Sequence, residues 1–437
     1  AASVADGADP GLSPSDVPGT DITQADLDLL ATRYPGADVW PLAPLQRGLF
    51  FESELASASD AAVDVYVAQG VVTVGAIDAH RLREAASRLL TTHRALRAGF
   101  VLAASGAAVS VVPADATLPW TELDLADAAD DVVAERISEI AQQQRLVPFD
   151  LTAPPLLRFV LIRHGGASTL VVTNHHLILD GWSGPLVMAD LLALYATGQP
   201  FTGVQSADFG DYLDLISRRD EAVGMAAWKK VLDKVDGPTL VAAGQTGSTD
   251  VLPQEVHTFL DAELVSGVEE SARANGATLA TALQVAWGVL VSRLTGNRVV
   301  TFGETVSGRP AELAGVETMV GLFINTLPAV VDVDPSASIA QVLAAVQDDK
   351  VAVLDYQHLS LPDIIRGTGV SVGFDTLAVH ESYPVDAQSL SAAGQQGADG
   401  SGGELGIRSA QFTDSTQYPP KPGTSPAAGG GLAVRLA

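Results

Sequence analysis

Residues Thr173-Asn174-His175-His176-Leu177-Ile178-Leu179-Asp180-Gly181-Trp182-Ser183 are the most informative stretch of the chain. The apolar run 168–174 before them reads as a strand, and 186–195 after them as a helix. A strand end facing a helix start is where a rigid scaffold presents side chains. An imidazole such as that of His176 is the side chain suited to giving or taking a proton near neutral pH. Asp180 follows four residues on, and Gly181 permits a close approach to the backbone. Neighbouring residues of a strand point to opposite faces, which argues against both histidines holding one metal ion. Histidines 80, 93, 164, 257, 358 and 380 show no ligand spacing such as HExxH, so no metal site is expected. A bare His-His pair is as often structural as chemical. The full string HHxxxDG is far more specific.

Working outward, 156–163 and 168–174 flank His164-Gly165-Gly166, the pattern of a hairpin. Residues 63–74 and 98–102 read as strands, and 21–33, 78–92 and 131–145 as helices. Past a turn-rich break at 198–205, the pattern predicts helices over 208–234, 263–274, 278–294 and 339–354. Strands are expected over 299–304, 326–333, 370–379 and 404–412. Segments 1–20, 237–250, 390–403 and 419–431 read as linker or loop. Two successive α+β halves result.

The chain has 437 residues, with 25 Lys+Arg against 52 Asp+Glu, for a formal charge of −27. Such a surface repels phosphate backbones and anionic bilayers, so neither nucleic acid nor membrane is an expected partner. There is no cysteine, which removes disulfides, thiolate zinc sites and a cysteine nucleophile, and fits a reducing cytoplasm. No apolar run reaches the ~18 residues of a membrane span, and no signal peptide is visible. The chain opens without Met in Ala/Asp/Gly/Pro-rich sequence and reads as part of a longer polypeptide. No GxxxxGK[ST] loop is present, so ATP is not expected here.

HHLILDGWS resembles the active-site motif of condensation domains of non-ribosomal peptide synthetases, relatives of chloramphenicol acetyltransferase. Further matches follow in family order: PLAPLQRGL at 41–49, THRALRAGF at 92–100, PFDL with PLLR at 148–158, GETVSGRP at 303–310, VGLFINTLP at 320–328, and FDTL with ESYP at 374–384. The resemblance implies two acetyltransferase-like α/β-sandwich lobes in a pseudo-dimeric V, with the active site in a tunnel between them. Residues 1–38 would be an upstream linker with a short helix, 39–200 the N-terminal lobe, and 201–437 the C-terminal lobe with its crossover and degenerate tail.

The family joins an acyl or peptidyl thioester on one carrier to the α-amine of an aminoacyl group on another. By resemblance, His176 faces the tunnel, as general base or as a group that positions the amine. His175 points into the lobe and supports the loop. Asp180 is structural, forming a charge-assisted pair with Arg309, Arg97 being the alternative partner. The Gly181 N–H assists the oxyanion. Trp182, Ser307 and Asn325 are expected along the tunnel. Trp228, Trp287 and Phe323 fit a channel or, more commonly for such residues, the core. No bound cofactor is implied. Substrates arrive on 4'-phosphopantetheine arms of donor and acceptor peptidyl carrier domains, so tethering supplies much of the effective concentration.

PLAPLQRGLFF, VDVYVAQ, HHLILDGWSGPLV and VGLFINTLP resemble the subclass taking a D-terminated donor and an L-acceptor. The segment before residue 39 resembles the one following an epimerization domain, and an adenylation domain is a further expected neighbour. Thr92 stands where the family often has Arg, leaving Arg94 or Arg97 as the ionic anchor. Thr416-Gln417-Tyr418-Pro419 replaces the usual Thr-His-Tyr-Pro. Arginines 47, 81, 83, 88, 293 and 298 are candidate carrier contacts. Two alternatives are an idle condensation-like module that recruits a partner enzyme and a free-standing CoA-dependent acyltransferase.

Overall fold

The computed structural model describes residues 11–57, 64–203, 206–243, 255–381, 407–413, 418, 420–427 and 429–436. The chain begins α1 (Gln24–Arg33), β1 (Asp38–Pro41), α2 (Pro44–Ser57), β2 (Val67–Gly75), α3 (Ala79–Thr92), β3 (Gly99–Leu102), β4 (Ala108–Val112) and β5 (Trp120–Asp124). It continues α4 (Asp130–Leu146), β6 (Leu157–His164), β7 (Ala167–His175) and α5 (Ser183–Thr197). The later part runs α6 (Phe209–Ser217), α7 (Glu221–Leu232), β8 (Val256–Leu260), α8 (Ala262–Ala274), α9 (Leu279–Thr295), β9 (Val299–Val306) and β10 (Asn325–Asp332). It ends α10 (Ile339–Val353), α11 (Leu361–Thr368), β11 (Leu377–His380), β12 (Ser409–Thr413), β13 (Pro422–Pro426) and β14 (Leu432–Leu436).

The result is a mixed α+β molecule built on sheets ordered β1-β4-β3, β12-β2-β7-β6-β5 and β10-β9-β11-β13-β14-β8. The β6–β7 hairpin turns through Gly165 and Gly166 at φ 45° and 71°, the pair of positive φ values that two-residue hairpin loops require. All nine residues of β7 are buried, because helices cover one face and α4 the other. α5 follows with ten buried residues and stops at Gly198, φ 73°. A Val-rich cluster packs the β1-β4-β3 sheet against α1, and it takes in Val17, wholly buried within the segment read as linker.

Three expectations are corrected. The helical stretch expected over 208–234 is divided into two helices, because Asp220 caps the start of α7 through the Ala222 N–H after a break at Arg218. The strand expected over 370–379 shrinks to β11. The tail read as loop and as degenerate contains β13, which pairs with β11 on one side and β14 on the other, Pro422 and Pro426 sitting at its ends. Tertiary pairing thus overrides a Gly/Pro-rich local pattern. Residues 244–250 of the loop read over 237–250, the loop at 390–403, Ser382-Tyr383-Pro384, Thr416, Gln417 and Pro419 lie outside the described residues.

β12, from the far end of the chain, pairs antiparallel with β2, Ser409 opposite Thr73 and Thr413 opposite Gln69. Among the described residues no single helix is long and apolar enough to cross a membrane.

Candidate active site

β7 ends at His175, and the chain leaves the sheet at His176, whose N–H donates to the Tyr66 carbonyl (2.9 Å). The two histidines part company there. The His175 ring is fully buried, and its Nδ1 accepts from the Leu177 N–H (3.1 Å). The ring proton therefore sits on Nε2, which faces Asp64 Oδ2 at 3.0 Å and Ser53 Oγ at 3.2 Å. Burial pushes the Asp64 carboxyl up, but the hydrogen bonds from His175, the Tyr66 N–H and Ser53 oppose it, and the carboxyl is held below its ordinary value. His176 instead lines a cavity of about 720 Å³ walled by residues from both parts of the chain.

Asp180 is fully buried. Its Oδ1 accepts from the Ser183 N–H (2.8 Å), and its Oδ2 accepts from the N–H groups of Phe323 (2.9 Å) and Ile324 (3.2 Å). Arg309 Nη2 approaches Oδ1 at 3.5 Å and donates more closely to Ser183 Oγ (2.9 Å). Arg309 also donates to the carbonyls of Val316 and Met319, and its guanidinium lies 4.0 Å from the Phe323 ring centre. Burial lowers its pKa, with the Asp180 charge opposing. Ser183 Oγ completes the joint, donating to the Gly321 carbonyl and accepting from the Gly321 N–H. Gly308 has φ 62°, and a Cβ there would lie 1.8 Å from the Phe323 carbonyl oxygen, so SGRP packs against the 321–324 segment only with glycine.

Arg97, the other candidate partner of Asp180, is elsewhere. Its Nε and Nη1 donate to the carbonyls of Pro113 (2.9 Å) and Leu90 (2.5 Å), tying α3 to the end of β4. Arg94 bridges Asp38 and Asp208. His93 meets the buried carboxylate of Asp190 at 2.6 Å, and Asp190 in turn holds the Thr202 N–H and hydroxyl.

Gly181, Trp182, Ser307 and Asn325 line the cavity together with His176. The Gly181 N–H has no hydrogen-bond partner among the described residues. Trp182 donates to the Glu317 carbonyl (2.9 Å). The Asn325 amide donates to the carbonyls of Gln357 and Leu359 (2.8 and 2.7 Å), so it shapes the wall and is spent on it. Trp228 and Phe323 are core residues, and Trp287 packs on the cluster between α9 and β10.

Residues given no role from sequence complete the site. Gln46 accepts from the Ala43 N–H and donates to the Leu177 carbonyl, both at 2.8 Å, fixing α2 to the histidine loop. It lies inside a quoted motif, which was the available signal. Ser53 and Asp64 carried none, since they meet His175 across 122 and 111 positions. No cluster of metal-ligating side chains occurs among the described residues.

The Condensation domain family model matches residues 36–419. The chain belongs to the condensation-domain family. Vanchrobactin synthetase VabF of Vibrio anguillarum is 32% identical over 388 residues, covering 87% of this chain and 13% of its own length. Chondramide synthase cmdD of Chondromyces crocatus is 31% identical over 432 residues, 87% of this chain and 11% of its own. This condensation domain therefore spans a small part of the relatives it matches. The solved condensation domain from the Monacolin K polyketide synthase MokA shares the fold, with TM-score 0.71 and 20% identity over 91% of this chain and 92% of that one.

Proposed function

We propose that this condensation domain forms an amide bond between a carrier-bound acyl or peptidyl thioester and the α-amine of a carrier-bound aminoacyl thioester, as an acyltransferase of non-ribosomal peptide synthesis. The observation carrying this reading is His176 on the wall of a cavity that both parts of the chain line, beside an unengaged Gly181 N–H. Residues 39–200 and 201–437 are taken as the two lobes.

The amine nitrogen attacks the thioester carbonyl, the C–N bond forms and the C–S bond breaks. His176 holds the amine and takes its proton. The Gly181 N–H faces the oxygen on which charge develops. His175 and Asp180 touch no reactant. They fix the loop, His175 through Asp64 and Asp180 through the backbone of 321–324 and Arg309. The pantetheine arms of donor and acceptor carriers bring both reactants, so few catalytic groups are needed. A D-terminated donor belongs to the same reading, supported by the sequence resemblances at 41–51, 63–69, 175–187 and 320–328. An upstream epimerization domain rests on the resemblance of the segment before residue 39, and a neighbouring adenylation domain and a cytoplasmic setting complete the reading.

The test is condensation between loaded donor and acceptor carriers, read by mass spectrometry. His176→Ala is expected to lower product formation by about 10²-fold or more. Unchanged yield would remove the histidine from the chemistry. Donors ending in D- or L-residues, compared in the same assay, decide the stereochemical part.

A further inference from the structure

The cavity wall carries charged side chains of both signs, and most are answered from within the protein. Asp363 faces Arg366 and, at 3.7 Å, Arg47. Glu381 faces Arg435 at 3.7 Å. Glu52 differs. It lines the cavity, is half-buried, and its carboxylate makes no hydrogen bond or ion pair with any described residue.

Its place on α2 explains why it looks inward. Leu45, Gly48 and Glu52 recur at helical spacing and all line the cavity, so they form one stripe. The next residue, Ser53, turns instead to His175. Tyr66 lines the cavity as well, and its carbonyl holds the His176 N–H. Burial first, then the negative charge of Glu52, keeps the Tyr66 hydroxyl far above its ordinary value. Glu52, Tyr66 and His176 are thus one wall.

A carboxylate partly withdrawn from water is costly unless a cation meets it. The acyl-transfer reading delivers one. An α-amine, with an ordinary pKa of about 7.7–8.0, arrives largely as ammonium at neutral pH. We propose that Glu52 is the binding residue for the acceptor's ammonium group, holding the α-nitrogen beside His176 until its proton is removed. One proton passes from nitrogen to the His176 imidazole and on to water. The freed lone pair then attacks the thioester carbon. As the C–N bond forms and the C–S bond breaks, the departing sulfur takes the second proton, leaving a neutral amide and a thiol. This rests on the proposed acyl transfer and adds that the acceptor is selected by its charge.

The test compares alanyl and propionyl amides of aminopantetheine, unreactive mimics that differ by the α-amine. Each is titrated calorimetrically into the full chain at pH 6.5 and 9.5. The unaltered protein is expected to bind the alanyl amide about tenfold more tightly at pH 6.5, the preference fading at pH 9.5 as the amine loses its charge. Glu52→Gln should bind both amides equally, and the propionyl amide as before, while Glu52→Asp keeps part of the preference. A preference that survives Glu52→Gln, or none in the unaltered protein, overturns the assignment. Turnover with loaded carriers is measured alongside. Absent turnover with an intact charge preference defeats the acyl-transfer reading and leaves the ammonium site standing.

Discussion

Two aspartates beside the cavity hold arginines in opposite ways. Asp180 is fully buried, its arginine is 3% exposed, and three backbone N–H groups share the carboxylate. Asp363, at the start of α11, is 23% exposed, and its partners Arg366 and Arg47 are 76% and 51% exposed. The first joint welds the histidine loop to the 307–324 segment. Leu322 and Phe323 from that segment even lie in the core of the other part of the chain. The second is a solvated rim. The lesson is that the wall bearing His176 is over-determined, whereas the facing rim is held by pairs that water and salt can replace.

The largest break in this contrast is Asp180→Ala. It strands Arg309 and three N–H groups in the interior and should cost about 3–5 kcal/mol, seen as a lower denaturation midpoint or loss of soluble protein. A variant melting normally would mean that the joint is ornamental.

Between the extremes stands His358, behind the rim. Burial, with the Arg219 charge, lowers its pKa to about 4. Its Nδ1 lies 3.3 Å from Arg219 Nη1, and its buried Nε2 has no partner. The ring is neutral in the fold, while the unfolded chain takes up a proton below about pH 6.5. Stability from this group is therefore present above pH 6.5 and lost as pH falls from there toward 4, by up to about 2–3 kcal/mol. Denaturation midpoints measured across that interval should slope less in His358→Asn. An identical slope would assign the acid sensitivity elsewhere.

The smallest effect belongs to Arg366→Ala, expected below about 1 kcal/mol because the pair is exposed. A shift in melting as large as that of Asp180→Ala would erase the distinction between joint and rim.

The same contrast sets what could be read from sequence. The loop 173–183 was legible because its chemistry is local: a strand, a turn and a helix start within eleven residues. The Asp180–Arg309 contact followed from family resemblance, yet the backbone N–H groups that hold Asp180 more closely were invisible, since two of them belong to Phe323 and Ile324, 143 and 144 positions away, with no polar side chain to mark them. Arg97 shows the converse: an arginine in a quoted motif whose task is to hold carbonyls. Asp64, Ser53 and Glu52 were missed because their meaning depends on where α2 lies against β7. β13 was missed because its strand character comes from two neighbours and not from its own Pro- and Gly-bearing sequence.

The pairing of β12 with β2 carries a consequence for biosynthesis. The ribosome releases β2 hundreds of residues before its outer neighbour, so the nascent five-stranded sheet must wait with one flank unsatisfied. Such a flank invites wrong partners, and closing a loop of that length is slow. Productive maturation therefore depends on translation reaching Thr413 before another chain finds the vacant margin.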